Sequence, residues 1–216
     1  WRIRMSIDTK KYYENYWNRE TDVSDFDVTT SERKQRLLKT LSLHVKAGEY
    51  VLDLGCGGGK FTSWILQAGY TAQGMDISNN ALELAKRNNP NISFELLEPD
   101  GSIPAQDSKF AAVWCTEVIE HILDVNTFLF EIRRILKPGG ILILTTPYHG
   151  LLKNLLIVLF KFDKHFDPES SHIRYFDKKA LSRCLDKAGF SPLNWSGIGR
   201  FYLLWRTWFV VARKAW

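Results

Sequence analysis

From Tyr50 onward, short apolar runs alternate with stretches whose apolar residues recur every three or four positions. Runs of this length bounded by Gly, Pro, Asn or Asp suit buried strands, and the longer period suits helices lying on them. The runs predict strands over Tyr50 to Leu54, Thr71 to Asp76, Ile92 to Leu97, Phe110 to Cys115, Gly140 to Thr146, Phe190 to Ser196 and Tyr202 to Ala212. Among the helical stretches, Phe128, Leu129, Ile132, Ile135 and Leu136 share one face, with Pro138 and the following Gly pair as the expected stop. A later helix is predicted from an Asp177 N-cap, through Leu181, Cys184 and Leu185, to Gly189. Strands alternating with helices predict an α/β fold around a mostly parallel sheet.

Residues 1–45 carry helix signals and no strand, and read as a helical cap on a single domain spanning 1–216. Leu151 to Phe162 is apolar except for Lys153, Asn154 and Lys161. That run is too short to cross a bilayer, so it is expected to be a lid within a 147–176 substrate insertion, or an interfacial helix making peripheral membrane contact.

Composition narrows the function classes. With 45% hydrophobic and 25% charged residues, the chain has the means to bury a core and is not of the disordered class. The net charge of +5 would suit an anionic partner, yet no Lys/Arg stripe interleaved with stacking aromatics appears, which argues against a nucleic acid partner. Cys56, Cys115 and Cys184 are odd in number and widely spaced, so neither a disulfide framework nor a thiolate zinc site is expected, and a cytoplasmic setting fits.

The segment VLDLGCGGGKF, Val51 to Phe61, places four glycines directly after a predicted strand. Two familiar glycine turns fail on spacing. A dinucleotide fingerprint needs Gly where Lys60 or Thr62 stands, and a P-loop needs Gly at Leu54 and Ser or Thr at Phe61. What remains, D-x-G-x-G-x-G with its Asp inside the strand, resembles the class I S-adenosylmethionine-dependent methyltransferases. The resemblance implies a Rossmann-like, seven-stranded, mostly parallel sheet with helices on both faces. It implies that Asp53, Gly55, Cys56, Gly57 and Gly59 hold the methionine end of S-adenosylmethionine, where a side chain larger than hydrogen would push the ligand away. Asp76, in GMDIS, would accept from the ribose hydroxyls, with Ile77 beside it. In the loop EPDGSIPAQDSKF, Asp100 and Gly101 would meet the adenine, although the family's acid stands one residue earlier, where this chain has Pro99. Thr116 would border the cofactor, and LKPGGILILTTP matches the family's fifth-strand motif.

Methyl transfer also needs an acceptor held in line and, where required, a base. In CTEVIEHI, Glu117, Glu120 and His121 are spaced i, i+3 and i+4, which puts them on one face if a helix begins there. The segment is similar to the E-x-x-E-H of the ubiquinone-pathway O-methyltransferases and of the small-RNA 3′-terminal 2′-O-methyltransferases. In the latter, such residues hold magnesium with a later His, and His172 lies at a matching place. The resemblance thus implies a Mg²⁺ site of Glu117, Glu120, His121 and His172. The bland alternative is a solvated carboxylate pair beside a packed imidazole. His149 is a candidate base with Glu117 and His121, while Tyr148, His172 and Arg174 are candidate substrate contacts, with His165 near the same place. Tyr12, Tyr13, Tyr16 and Trp17 are expected either to close over the cofactor or simply to pack. The leading expectation is O-methylation of a small-molecule acceptor: a quinone or phenol precursor, a lipid-like compound or a saccharide. An RNA 2′-O-methyltransferase and a catalytically silent cofactor-binding protein are the alternatives.

Overall fold

The structure is a computed structural model and describes residues 4–18, 29–98, 101–166 and 171–215. In chain order the elements are α1 (Arg4–Asn18), α2 (Thr30–His44), β1 (Tyr50–Leu54), α3 (Lys60–Gln67), β2 (Thr71–Asp76), α4 (Asn79–Asn88), β3 (Ser93–Leu96), β4 (Phe110–Thr116), α5 (Val125–Ile135), β5 (Leu136–Pro147), α6 (Leu151–Phe160), α7 (Phe162–His165), α8 (Lys178–Lys187), β6 (Phe190–Ile198) and β7 (Thr207–Lys214). A short 3₁₀ turn, Ile119–His121, follows β4.

The seven strands form one sheet in the order β3-β2-β1-β4-β5-β7-β6. Pairing is parallel from β3 to β5, and β7 runs antiparallel to both β5 and β6. The order reverses between β1 and β4, so the carboxyl ends of these strands form the crevice where open α/β sheets bind ligands.

Alternation along the strands divides the core. Leu52, Leu54, Val113, Cys115, Leu142 and Leu144 pack with Phe128, Leu129 and Ile132 of α5 and with Leu181 and Leu185 of α8. Their neighbours Val51, Ala112, Trp114, Ile141 and Ile143 pack with Leu37 and Leu41 of α2 and Ile65 of α3. Successive strand side chains point to opposite faces, so buried runs on both faces require helices on both. Leu37 and Leu41 are fully buried, which makes α2 part of a helical layer.

Several boundaries move. Helix α5 ends at Ile135, the buried Leu136 already begins β5, and Pro138 lies inside that strand. A register shift between Phe110 and Ala112 in the partner strand accommodates this irregular start. β7 begins at Thr207 instead of Tyr202, because residues 201–206 turn the chain back from β6. Asp177 caps α8 as its sequence predicts, its carboxylate accepting from the Ala180 amide at 2.6 Å. All three cysteines are free.

Candidate active site

The glycine turn leaves β1 at its carboxyl end. Gly55 has φ 80° and Gly57 has φ 50°, conformations that L side chains seldom adopt. The Gly55 and Cys56 amides both donate to the Met75 carbonyl, at 2.8 and 3.0 Å, which ties the turn to β2. A Cβ on Gly55 would stand 2.3 Å from Val118 Cγ2, so the segment after β4 abuts the turn. A Cβ on Gly57 would stand 2.7 Å from the Trp17 indole of α1. Gly59 serves packing instead, since a Cβ there would meet Phe94 and Ala85. The Cys56 thiol joins a small apolar cluster with Leu82, Ala85 and Phe94, and burial pushes its pKa well up. Its amide donates to Met75 and its carbonyl accepts from the Gly59 amide at 3.0 Å.

Asp76 ends β2 beside this turn. One oxygen accepts from the Gly57 amide at 2.8 Å and the other from the Ser78 amide at 3.0 Å. Burial raises its pKa, and those amide bonds oppose the rise. An ionised carboxylate has about four acceptor positions, so lone pairs remain for two ribose hydroxyls. Asp53 is also buried. Its Oδ2 accepts from Thr62 Oγ1 at 2.6 Å, while Oδ1 has no hydrogen-bond partner among the described residues. Burial, reinforced by the nearby Asp76, pushes the Asp53 pKa up to about 7. A buried acceptor without a donor suits the ammonium of an amino acid group. Ile77 is half-buried next to Asp76, and Gly101, with φ 85°, has open space where a Cβ would be. Asp100 lies outside the described residues.

Helix α1 crosses the mouth. The Glu14 carboxylate accepts from the Ser78 hydroxyl and from the Asn79 and Asn80 amides, at 2.9 to 3.1 Å, and so caps α4. Burial acts to raise the Glu14 pKa, but the bonds from Asn79, Asn80 and Ser78 leave it lowered. Tyr13 meets His121 edge-on at 5.6 Å between ring centroids, and Trp17 covers Gly57.

The second half of the site is polar and buried. Glu117 adopts φ 51°, and its amide donates to the Thr145 carbonyl at 3.0 Å. The predicted helix therefore does not start there. Instead the chain makes the 3₁₀ turn, and the three residues of the E-x-x-E-H segment separate into two groups. Glu117 accepts from Thr145 Oγ1 at 2.9 Å and pairs with Arg33 of α2 at 3.1 Å. Thr116 shares a hydroxyl contact of 2.6 Å with Thr145. Glu120 is wholly buried, with Oε2 accepting from Thr146 Oγ1 at 3.0 Å and Oε1 without a hydrogen-bond donor among the described residues. Burial first, then the Glu117 charge, pushes the Glu120 pKa up to about 8.

His121 places Nδ1 2.8 Å from the Ser171 carbonyl and Nε2 4.0 Å from Glu120 Oε1. Burial drives its pKa down to about 4. The neutral ring therefore carries its proton on Nδ1, facing the carbonyl, and turns the Nε2 lone pair toward Glu120. The His172 ring lies 4.9 Å from that of His121. Ligand atoms of Glu120, His121 and His172 all fall within 4.8 Å of one another. Glu117 is not in that group because Arg33 holds it.

The other expected contacts divide. His149 is buried, its Nδ1 3.1 Å from Asn154 Oδ1, and its ring stands edge-on to Tyr175 and beside His165. Burial takes its pKa down to about 4, so the ring is neutral near pH 7. Four of the five histidines thus gather at this edge of the sheet. Tyr148 instead packs into an aromatic group with Trp205 and Trp208, and Arg174 donates to the Ile122 and Leu123 carbonyls. Arg33, Thr145, Thr146 and Glu14 were not singled out in the sequence, because no local spacing marks residues that meet from distant segments.

A glycine turn at the switch point of an open α/β sheet, with a buried carboxylate at the end of the next strand, has the form of a nucleotide-type cofactor site. The sequence matches the family described as a methyltransferase domain over residues 26–194, and the chain belongs to it. It is a S-adenosylmethionine-dependent methyltransferase. It is 27% identical to the ubiquinone biosynthesis O-methyltransferase of Methylococcus capsulatus over 201 residues, covering 87% of this chain and 84% of that one. The demethylmenaquinone methyltransferase of Staphylococcus saprophyticus is 28% identical over 199 residues, with 82% and 84% covered. In fold, the chain resembles the 1,6-didemethyltoxoflavin-N1-methyltransferase of Burkholderia thailandensis, solved with 1,6-didemethyltoxoflavin and S-adenosylhomocysteine. That likeness has a TM-score of 0.70 at 19% identity, covering 95% of this chain and 87% of that one.

Proposed function

We propose that the chain methylates a hydroxyl of a small phenolic or quinone-precursor acceptor with a lipid-like body, and that Glu120, His121 and His172 hold a divalent cation beside that hydroxyl. The observation that carries this reading is the convergence of one carboxylate and two imidazoles within 4.8 Å at the carboxyl edge of the sheet. The relatives named above are called quinone-pathway methyltransferases, which supports the acceptor class.

The donor set bears on the metal. Magnesium prefers oxygen ligands, whereas two imidazoles and a carboxylate suit manganese, iron or zinc. With Glu117 engaged by Arg33, the group is poorer in oxygen than the magnesium site that the E-x-x-E-H resemblance implies. A bound cation would lower the pKa of the acceptor hydroxyl.

The chain's own residues would do the rest. The bare backbone of the glycine turn, whose Gly55, Cys56 and Gly57 amides are held within the protein, and Asp53 Oδ1 would border the amino acid end of S-adenosylmethionine, and Asp76 its ribose. His149, neutral and with Nε2 unshielded by Asn154, is placed to take the acceptor proton when no cation is used.

Transfer of labelled methyl from S-adenosylmethionine to catechol and to a demethylated quinone tests the reading. Asp76→Ala should weaken cofactor binding at least a hundredfold in calorimetry. Chelation and His172→Ala should each cut turnover more than tenfold, with manganese or zinc restoring the chelated enzyme better than magnesium. Unchanged turnover after chelation removes the cation from the proposal, and cofactor binding without transfer to either acceptor removes the acceptor class.

A further inference from the structure

Helix α6 is built inside out. Its half-buried positions are Lys153, Asn154 and Ile157, one face at helical spacing, and two of the three are polar. Lys153 Nζ donates to the Arg206 carbonyl at 3.2 Å, and Asn154 meets His149. The outward positions are Leu151, Leu152, Leu155, Leu156, Val158, Leu159 and Phe160, with exposures reaching 89% at Leu151 and 76% at Phe160. A surface helix in water shows the reverse arrangement. Phe162 and, from the loop between β6 and β7, Phe201, Tyr202 and Leu203 are exposed as well.

The two apolar segments belong to one edge. Pro147, just before α6, pairs with Thr207, just after the loop, and Lys153 bridges them through the Arg206 carbonyl. The charge along this edge is positive. Lys153 feels Arg200 and Arg206, with Glu117 opposing them from the site side, Lys161 follows the last turn of α6, and α6 contains no acidic residue, although Asp163 opens α7. At about 1.5 Å per residue the ten-residue helix is roughly 15 Å long, half of a bilayer core of about 30 Å. No helix among the described residues is long and apolar enough to cross a membrane.

We propose that α6, Phe162 and the Phe201–Leu203 loop are a docking surface for a bilayer with anionic headgroups. Apolar side chains flanked by cations match the layered chemistry of that interface, where acyl chains lie beneath negative charge. A second copy of the chain on the same patch would oppose like charges across a two-fold axis, which disfavours that occupant. The patch leads directly into the site, since α6 begins two residues after His149. An amphiphilic acceptor could then enter from the lipid without crossing water. That last consequence rests on the acceptor reading above, whereas docking itself does not.

Flotation with vesicles of phosphatidylcholine, and of phosphatidylcholine containing 30% phosphatidylglycerol, tests this without cofactor or acceptor. The protein should float with the anionic vesicles, and raising salt from 50 to 500 mM should weaken binding severalfold. Leu155→Glu/Leu159→Glu should reduce binding at least tenfold with the thermal midpoint and S-adenosylmethionine affinity unchanged, because both side chains are exposed. Lys161→Glu/Arg200→Glu should abolish the preference for anionic vesicles. Absence of flotation with the anionic vesicles, or equal flotation of Leu155→Glu/Leu159→Glu, would overturn the proposal. So would a sedimentation result in which the parent is a dimer that Leu155→Glu/Leu159→Glu renders monomeric.

Discussion

Replacing Glu120 by Gln should change how stability depends on pH. Glu120 is completely buried, keeps one bond to Thr146 and has a second oxygen without a donor. Burial and the Glu117 charge lift its folded-state pKa from about 4.5 to about 8. Between those values the unfolded chain gives up the proton while the folded chain keeps it. The native state binds more protons there, so stability must fall as pH rises. One proton corresponds to about 1.4 kcal/mol per pH unit, so the loss from pH 5 to pH 8 approaches ~4 kcal/mol when the whole proton is retained. Glu120→Gln keeps the acceptor for Thr146 and cannot ionise. Its stability should therefore match the parent near pH 5 and exceed it by a few kcal/mol at pH 8.

Other groups act in the same range, and both proteins share them. Asp53, raised to about 7, pulls the same way, whereas His121 and His149, lowered to about 4, lose stability as pH falls below about 6.5. Urea unfolding of both proteins at pH 5, 6.5 and 8 isolates Glu120 as the difference. Parallel pH profiles, or a parent that gains on Glu120→Gln as pH rises, would refute the assignment.

Arg33→Met should cost about 3 kcal/mol, the low end for breaking a buried ion pair because Glu117 is partly exposed, and lower the thermal midpoint by roughly 6–12 °C. Gly55→Ala should destabilise by at least about 2 kcal/mol in denaturant unfolding, through the Val118 clash and the positive φ together. Adding Val118→Ala should recover the clash and leave the roughly 1 kcal/mol backbone cost. Glu14→Ala should free α1 from the start of α4, seen as faster amide exchange over residues 10–18 while the sheet amides keep their protection.

The sequence was most informative where one local rule governs. The glycine turn and Asp76 were legible because a turn of positive φ at a strand end demands glycine at a few neighbouring positions and sets the next strand's carboxylate beside it. Asp177 and Gly189 bounded α8 for the same local reason. The E-x-x-E-H segment was legible in composition and not in geometry. A β4–β5 hydrogen bond carries one residue past the strand and forces Glu117 into a left-handed conformation, which no helical spacing reveals. Tyr202 to Trp205 have the composition of a strand but turn the chain, and their exposed aromatics became interpretable only beside α6. Arg33 could not be foreseen, because its partner stands 84 positions away and nothing local distinguishes it from the other cations of α2.

That last contact bears on where this fold can be cut. Every signature residue of the methyltransferase resemblance lies at or after Val51, although the family match itself begins at residue 26. Helix α2 nevertheless supplies Leu37 and Leu41 to the core and a counter-charge to the acidic end of β4. A fragment starting at Tyr50 would retain all the signature residues, uncover one face of the sheet and leave the partly buried Glu117, beside the buried Glu120, without its Arg33 counter-charge. It should be recovered as aggregate, whereas a fragment starting at Thr29 should fold. The smallest folding unit is thus longer than the stretch that carries the signature residues.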